Sequence, residues 1–333
     1  MSHLNFGILG TADVVKRYTA DAIRRSQHTQ LAGIASRELS RAQVFAEKFD
    51  TKAFGSYEAL LADPTINAVY IPLPIGLHEE WTLKALKAGK HVLCEKSLSG
   101  RYQQSKRMIE AAKENGLVLA ENFMCEHHTQ NIFVQNLLNK NEIGKIRSSS
   151  LSFGFPPKDP SNIRYKKSLD CGALNDTGAY CVNMAIYYLN RYPVSLWATL
   201  SNEDKQVDIA GSITLHFDDG STANLNFGFD HDYRNEARFW GSAGSLAIDR
   251  CFSIPPDRKP NVKLIRNNEV KEFDLLPCNH FIAQLDRLAE LVKSRETINL
   301  KKLTRQALLL EAVRISSAEQ RIVKMDEFAD WLL

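Results

Sequence analysis

The chain lacks most of the features that would set it apart from ordinary globular proteins. It has no large excess of either charge. Its 42 Lys and Arg face 39 Asp and Glu, a formal net of +3 over 333 residues. So small and dispersed a balance excludes an electrostatic grip on nucleic acid. No apolar run approaches the ~18 residues of a membrane span, which predicts no membrane partner. The first residues lead straight into a strand-like run at 5–9 with no charged-then-apolar leader, an expectation of a cytoplasmic protein. Cysteine is scarce: Cys94, Cys125, Cys171, Cys181, Cys251 and Cys278, with no C-x-x-C among them. That spacing argues against a disulfide framework and a zinc site, and predicts small buried thiols in a reducing compartment. There is no internal repeat, linker or low-complexity segment. The 44% hydrophobic and 24% charged content is that of a globular protein long enough for two domains.

Some absences are local. A strand at residues 5–9 is followed by Gly10-Thr11-Ala12-Asp13-Val14 and a helix to about Arg25. Strand, tight turn and helix start make a phosphate site, because unbonded N–H groups and the helix dipole face the anion. The full fingerprint is G-x-G-x-x-G. Here Gly10 is kept, but Ala12 and Val15 replace the other two glycines. Alone, the turn is equally readable as a plain strand–helix connection.

An acid is also missing where NAD would need one. A second strand at 30–35 ends in Ser36-Arg37. An acid there would hold the ribose 2′-hydroxyl. A hydroxyl and a guanidinium suit the 2′-phosphate of NADP(H) instead. The competing reading of Arg37 is a solvated helix-start residue; its distance from Gly10 favours the phosphate. Glu38 reads as surface.

What remains alternates strand and helix. A helix spans 41–49, a strand 67–71, then Pro72-Leu73-Pro74, a helix from His78 to 88, and Gly89 as its stop. Lys90-His91-Val92-Leu93-Cys94-Glu95-Lys96 follows, a short apolar strand ending on an acid and a base. Alternation of this kind predicts a doubly wound parallel sheet. Ligands sit beyond the carboxyl ends of such strands, so Lys96 would be aimed at a cleft. Lysine is also the cation whose pKa moves most readily on desolvation. A solvated Glu-Lys pair is the plainer alternative for these two residues in isolation. A further helix at 103–115 and strand at 117–121 complete an N-terminal Rossmann domain, 1–121. Residues 122–333 form a C-terminal α+β domain.

In the second part, 146–155 alternates weakly, like an edge strand. Adjacent His127 and His128 invite a metal reading, but neighbours point apart on strand or helix, and no carboxylate completes a set, so no metal is expected. Asp176 and Tyr180 are four apart, on one helical face. From that segment alone, a buried tyrosine satisfied by Asp176 is the preferred reading, with proton transfer by a phenol beside a cation as the alternative. Four period-2 runs, 195–201, 207–217, 221–229 and 236–248, suggest a large, mostly antiparallel open sheet. One face would cover the nucleotide; the other is a candidate subunit surface. Two helices close the chain, at 281–294 and 304–321.

Gly10-Thr11-Ala12-Asp13, Ala35-Ser36-Arg37, Pro72-Leu73-Pro74 with His78, and Ala88 to Lys96 resemble the glucose–fructose oxidoreductase/inositol dehydrogenase/rhizopine catabolism (Gfo/Idh/MocA) family. The last block is similar to that family's "AGKHVxxEKP" signature, with Ser97 in place of its proline. Gly172-Ala173-Leu174-Asn175-Asp176-Thr177-Gly178-Ala179-Tyr180 resembles its "GGGAL-x-D-x-G-x-Y/H" motif. The resemblance covers essentially the whole length. It implies NADP(H) held by Gly10, Thr11, Ala12, Asp13, Val14, Ser36, Arg37, Pro72, Leu73, His78, Glu95, Lys96, Asn122 and Arg164. It implies catalysis by Lys96 paired with Tyr180, with Asp176 orienting them. Arg17, Lys96, Asp176, Tyr180 and Tyr233 would face the substrate; for Arg164 and Tyr233 a sheet-surface role is equally open. Residues 123–130, 226–234 and 240–250 are similar to those of NADPH-dependent 3-ketoreductases of dTDP-linked deoxysugars. The expected activity is reduction of such a keto-sugar. The alternatives are a dehydrogenase of free sugars, cyclitols or dihydrodiols, and a non-catalytic NADP-binding regulator. A homodimer or homotetramer through the C-terminal sheet is expected.

Overall fold

A computed structural model describes residues 3–294 and 298–331. They pack as two compact units. The first holds the described residues of Met1–Met124 and Phe281–Ala307, the second those of Cys125–His280 and Leu308–Leu333. These packing units part after Met124 rather than at 121/122, and they differ from a single division in one further way. Residues 281–307 pack with the first unit, because Phe281 stacks on Tyr18 with centroids 5.0 Å apart and Leu303 joins the first unit's apolar core. Ser26 also donates to Asp286 at 2.6 Å.

In the first unit strands and helices alternate: β1 (Leu4–Leu9), α1 (Ala20–Arg25, led by a π turn at Val15–Thr19), β2 (Thr29–Ala35), α2 (Leu39–Phe49), β3 (Lys52–Phe54), α3 (Tyr57–Leu61), β4 (Ala68–Ile71), α4 (His78–Lys87), β5 (His91–Cys94), α5 (Tyr102–Glu114) and β6 (Leu119–Glu121). The six strands are parallel in the order β3-β2-β1-β4-β5-β6. β4 is buried at all four positions and β5 at three, as expected of strands covered on both faces. The chain reverses its winding between β1 and β4. The turns after β1, β4 and β5 thus open at the carboxyl edge where ligands bind in such sheets.

One motif residue has a structural task. Lys90 is 7% exposed, and its Nζ donates to the carbonyls of Asp63 at 2.9 Å and Ile66 at 2.7 Å. It ties the loop before β4 to the start of β5, so the two strands begin in step.

The second unit holds α6 (Thr129–Asn139), β7 (Ile146–Gly154), α7 (Ala179–Leu189, led by a π turn at Leu174–Gly178), β8 (Ser195–Ser201), β9 (Ala210–His216), β10 (Thr222–Gly228), β11 (Arg234–Gly241), β12 (Ser245–Asp249), β13 (Asn261–Arg266) and β14 (Glu269–Asp274). α8 (His280–Ser294) and α9 (Ile298–Glu319) follow, then β15 (Val323–Lys324). Nine strands run β14-β13-β12-β11-β7-β10-β9-β8-β15, antiparallel except between β7 and β10. Burial alternates along β10 and β11, the mark of a sheet covered on one face. β7, expected at an edge, lies in the middle. Its weak alternation arises because a serine occupies an inward position: Ser149 is 2% exposed and donates to the Thr222 carbonyl at 3.4 Å. The run at 236–248 is two strands, split by a turn at 242–244.

Candidate active site

The first unit carries three clustered features at its carboxyl edge. The first is the turn after β1. Gly10 has φ +119°, a backbone conformation L side chains rarely adopt, and a Cβ there would sit 3.1 Å from Leu73 Cδ2. Glycine is thus required both by conformation and by the close approach of the β4 loop. The helical segment starts at Asp13, and its first N–H groups have no intrahelical acceptor. Thr11, Ala12 and Val14 are half-buried beside it and Asp13 is exposed. Arg17 turns back along its own helix, donating to Asp13 at 3.3 Å and to the Tyr18 hydroxyl at 2.7 Å.

The second feature follows β2. Ser36 is 6% exposed and its Oγ accepts from the Glu38 N–H at 3.4 Å. Arg37 is exposed and, among the described residues, has no carboxylate partner, because Glu38 pairs with Arg41 at 3.0 Å. Burial raises the Tyr57 pKa while the Arg37 charge lowers it. The same Tyr57 hydroxyl lies 3.7 Å from where a Gly10 Cβ would stand. An unneutralised guanidinium, a serine and a phenol therefore border the phosphate turn. Tyr57 was not found from sequence; a tyrosine in an unremarked helix start carries no motif.

The third feature follows β4 and β5. His78 was expected against the cofactor, but it is fully buried. Its Nε2 lies 2.7 Å from the Leu73 carbonyl and its Nδ1 2.9 Å from the Ser97 carbonyl. It clasps the Pro72-Leu73 loop to the Lys96-Ser97 loop. Burial lowers its pKa; the two carbonyls and Glu95 oppose the shift. The Lys96–Ser97 peptide is cis. Glu95 is fixed from two sides: Tyr70 donates to Oε1 at 2.5 Å and Asn122 Nδ2 donates to the same atom at 2.6 Å. Thr19 in turn donates to the Tyr70 oxygen at 3.4 Å. Tyr70 was missed from sequence because it sits inside a wholly apolar strand. Lys96 is half-buried, and its N–H donates to Glu95 Oε2 at 3.3 Å. A carboxylate held rigid at the strand end, bonded to the Lys96 backbone N–H, fixes the point from which the lysine extends.

These residues fit a phosphorylated dinucleotide: the Gly10 turn for the pyrophosphate, Ser36 and Arg37 for a further phosphate, and the Pro72, Leu73, Glu95 and Lys96 loops for the ring that reacts.

In the second unit Asp176 lies inside the π turn, so its spacing to Tyr180 is not that of a regular α-helix. Its Oδ2 accepts from Arg164 Nε at 2.6 Å, and that pairing raises the arginine pKa. Tyr180 is 6% exposed, with Phe153 at 5.5 Å and Phe252 at 6.1 Å. Tyr233, 39% exposed, accepts from Arg250 at 2.8 Å. Of the adjacent histidines, His128 is the N-cap of α6: its Nδ1 accepts from the Gln130 N–H at 3.0 Å.

Comparisons with known proteins place the chain in a family. Residues 4–123 match the family described as "Oxidoreductase family, NAD-binding Rossmann fold", and residues 132–247 match the GFO/IDH/MocA C-terminal domain. The chain is 37% identical to dTDP-3,4-didehydro-2,6-dideoxy-alpha-D-glucose 3-reductase of Actinomadura kijaniata, over 95% of this chain and 96% of that protein. It is 32% identical to D-xylose 1-dehydrogenase (NADP(+)) 2 of Haloferax volcanii, over 88% and 90%. A crystal structure of a 3-ketoreductase from Actinomadura kijaniata, in complex with NADP and TDP-benzene, superposes with a TM-score of 0.89 at 37% identity, covering 95% of this chain and 98% of that one. On the match of both domains and on these identities, the chain belongs to the Gfo/Idh/MocA family of oxidoreductases.

Proposed function

We propose that the protein reduces a ketone on a nucleotide-linked deoxysugar, a 3-keto group of a dTDP sugar, with NADPH. The observation that carries the cofactor choice is Arg37: exposed, at the end of β2, and without a carboxylate partner among the described residues. A 2′-phosphate supplies the charge it lacks. The likeness to a dTDP-sugar 3-reductase supports the substrate class.

NADPH, when bound, supplies a hydride to the carbonyl carbon. The chain's own residues manage the oxygen. Negative charge grows there as the carbon is reduced, and an ammonium stabilises it. Lys96 is the proposed donor of a hydrogen bond and then a proton, with Tyr180 as its partner and Asp176, with Arg164, as their orienting groups. General acid work of this kind contributes roughly 10²–10⁴-fold in rate. Glu95, itself held by Tyr70 and Asn122, fixes the backbone from which Lys96 extends. Thr11 to Val14 and Ser36 with Arg37 hold the cofactor phosphates. Arg17 and Tyr233 are assigned to the substrate. By function, residues 1–121 serve the cofactor and 122–333 the substrate and assembly.

A second reading has its own support in the D-xylose dehydrogenase likeness: oxidation of a free sugar with NADP+. One experiment separates the two. The protein is assayed with NADPH against a dTDP-linked 3-keto-sugar and with NADP+ against a panel of aldoses. Turnover confined to free sugars overturns the first reading. In the same assay Arg37→Ala should raise KM for NADPH about tenfold while leaving NADH little changed, the loss expected of a charge-assisted phosphate contact. An equal effect on both coenzymes removes Arg37 from the phosphate site.

Assembly and location follow the same reading. The sheet's solvent face carries Trp240 at 70% exposure, and we assign that face to a homodimer or homotetramer, measurable by sedimentation. Among the described residues no helix is long and apolar enough to cross a membrane. A cytosolic enzyme of small molecules, without nucleic acid or membrane partners, is the matching expectation.

A further inference from the structure

The helical segment that carries Asp176 and Tyr180 begins at Ala173, and its first N–H groups have no acceptor within the helix. The residue before such a segment normally supplies a capping side chain. Here that residue is Gly172, which has none. Its φ is +140°, a conformation that L side chains rarely adopt, and a Cβ there would run into the Asp208 carboxylate. Asp208 supplies the cap instead, from 34 residues beyond Leu174. Its Oδ2 accepts from the Leu174 N–H at 2.5 Å, and its main-chain carbonyl accepts from the Ala173 N–H at 2.8 Å. A carboxylate is also the charge that the positive end of a helix favours. Asp208 is half-buried. Burial raises its pKa, and the Leu174 N–H and the Arg314 charge oppose the rise.

The cap is itself anchored. Asp208 stands two residues before β9. Its neighbour Ile209 donates its N–H to the Ser201 carbonyl at the end of β8, at 2.8 Å, and accepts from the Phe229 N–H just past β10, at 2.8 Å. Arg314, on α9, braces the next residue of the turn. Its Nη2 donates to Asn175 Oδ1 at 2.5 Å and its Nη1 to Glu311 at 3.1 Å. Asn175 Nδ2 in turn donates to the Asp170 carbonyl at 2.7 Å. Ala173, Leu174 and Asn175 are thus each held from outside the helix before the chain reaches Asp176. The turn they open is π, a rare form that is frequent at functional sites. Tyr180 follows it, its ring set between Phe153 at 5.5 Å and Phe252 at 6.1 Å. Slack at Leu174 would pass along the helix to the backbone of both Asp176 and Tyr180.

We propose that Asp208 is a positioning residue of the reaction: by capping Leu174 it fixes the turn from which Tyr180 extends, and it acts on the rate through that phenol. This rests on the proton-transfer role given to Tyr180 above. The test measures kcat and KM with the dTDP-linked 3-keto-sugar, or with the aldose panel if only that turns over, for wild type, Asp208→Ala, Tyr180→Phe and the double variant. Asp208→Ala should lose about tenfold in kcat, since a misplacement of about 1 Å can cost up to roughly 10²-fold, with KM for NADPH unchanged. Asp208→Asn keeps a capping oxygen and should stay within about twofold of wild type. The double variant should be no slower than Tyr180→Phe alone, because without the phenol Asp208 has nothing left to position. A purely structural role would lower the melting temperature of Asp208→Ala and leave kcat per folded molecule unchanged. Should the alanine variant not purify, Asp208→Ser, a shorter cap, enters the same cycle with a smaller loss expected. If Asp208→Ala turns over like wild type while Tyr180→Phe is slow, or if the two losses multiply in the double variant, the positioning role fails and Tyr180 keeps its own. If Tyr180→Phe turns over like wild type, the role of Tyr180 fails and the positioning role falls with it. A wild type that turns over neither substrate overturns both.

Discussion

Lys90 and Lys96 lie six residues apart in one motif, and their surroundings give them opposite tasks. The Lys90 ammonium is buried on two carbonyls, and desolvation lowers its pKa. Lys96 is half-buried beyond the end of β5, and its backbone N–H is bonded to a carboxylate anchored by two donors. Replacing each by methionine should therefore separate stability from chemistry. Lys90→Met leaves the carbonyls of Asp63 and Ile66 without their donor, at about 1–3 kcal/mol. It should lower the melting temperature by several degrees and leave the rate per folded molecule close to wild type. Lys96→Met should melt near wild type and lose roughly 10²–10⁴-fold in kcat. Thermal melts run beside steady-state assays check both, and the reverse pattern would exchange the two roles. The placement of Lys96 beyond a strand end, of Gly10 in a tight turn and of Arg37 after β2 was legible in the sequence, because each rests on a local rule about turns or strand ends. His78 was legible as a motif member but not as a clasp. Its partners are backbone carbonyls of Leu73 and Ser97, and a sequence does not show which carbonyls a fold brings together.

At the scale of elements, patterning located most strands and helices but not their neighbours. β7 reads as an edge strand because polar residues interrupt its inward positions, yet it forms the parallel pair at the middle of the sheet. The missed elements are β3, α3, α6, β13, β14 and β15; β3, α3 and β15 are short, and α6 follows residues with a stronger competing reading. α6 is preceded by His128, which looks like half of a metal pair and serves as its N-cap. The π turn before α7 is likewise invisible to a 3.6-residue period. It has a testable consequence, because Gly178 within it lies against Phe227. A Cβ at 178 would come within 3.0 Å of the Phe227 ring. Gly178→Val should overpack this contact and destabilise the protein by about 1–3 kcal/mol. It should also disturb the placement of Tyr180, two residues on, so kcat should fall in the fraction that still folds. Gly178→Ala, with one methyl, should show a weaker form of both effects. Denaturant midpoints and kcat on the purified variants measure them; a valine variant of wild-type stability would mean that the ring has room to retreat.

The whole molecule carries an acid sensitivity that no single element shows. His128 and His280 are both buried in the second unit, their rings edge-to-face with centroids 5.5 Å apart. Desolvation pulls His128 down to about 4 and His280 to about 3. In the first unit burial also lowers His78 and His91. An unfolded histidine titrates near 6.5. Between that pH and the folded values the unfolded chain binds protons that the native state does not. Stability from these groups is therefore complete above about pH 7 and falls as the pH drops through 6 and 5. From pH 7.5 to 5.5 the loss is about 1 kcal/mol each for His128 and His280. Carboxylates whose pKa values are lowered, Asp63 and Asp219, lose their stabilising effect only below the ordinary carboxylate range, so they do not act in this window. Urea midpoints measured at pH 7.5, 6.5 and 5.5 should decline steadily, with His128→Gln flattening the decline by about one histidine's share. Two packing units can unfold separately, so the transition should be followed by both near-ultraviolet and far-ultraviolet signals. A midpoint that holds constant to pH 5.5 would mean that these imidazoles either gain protons in the native state or stay wet. Because the large shifts belong to His128 and His280, both in the second unit, that unit rather than the Rossmann sheet is the part whose loss should lead.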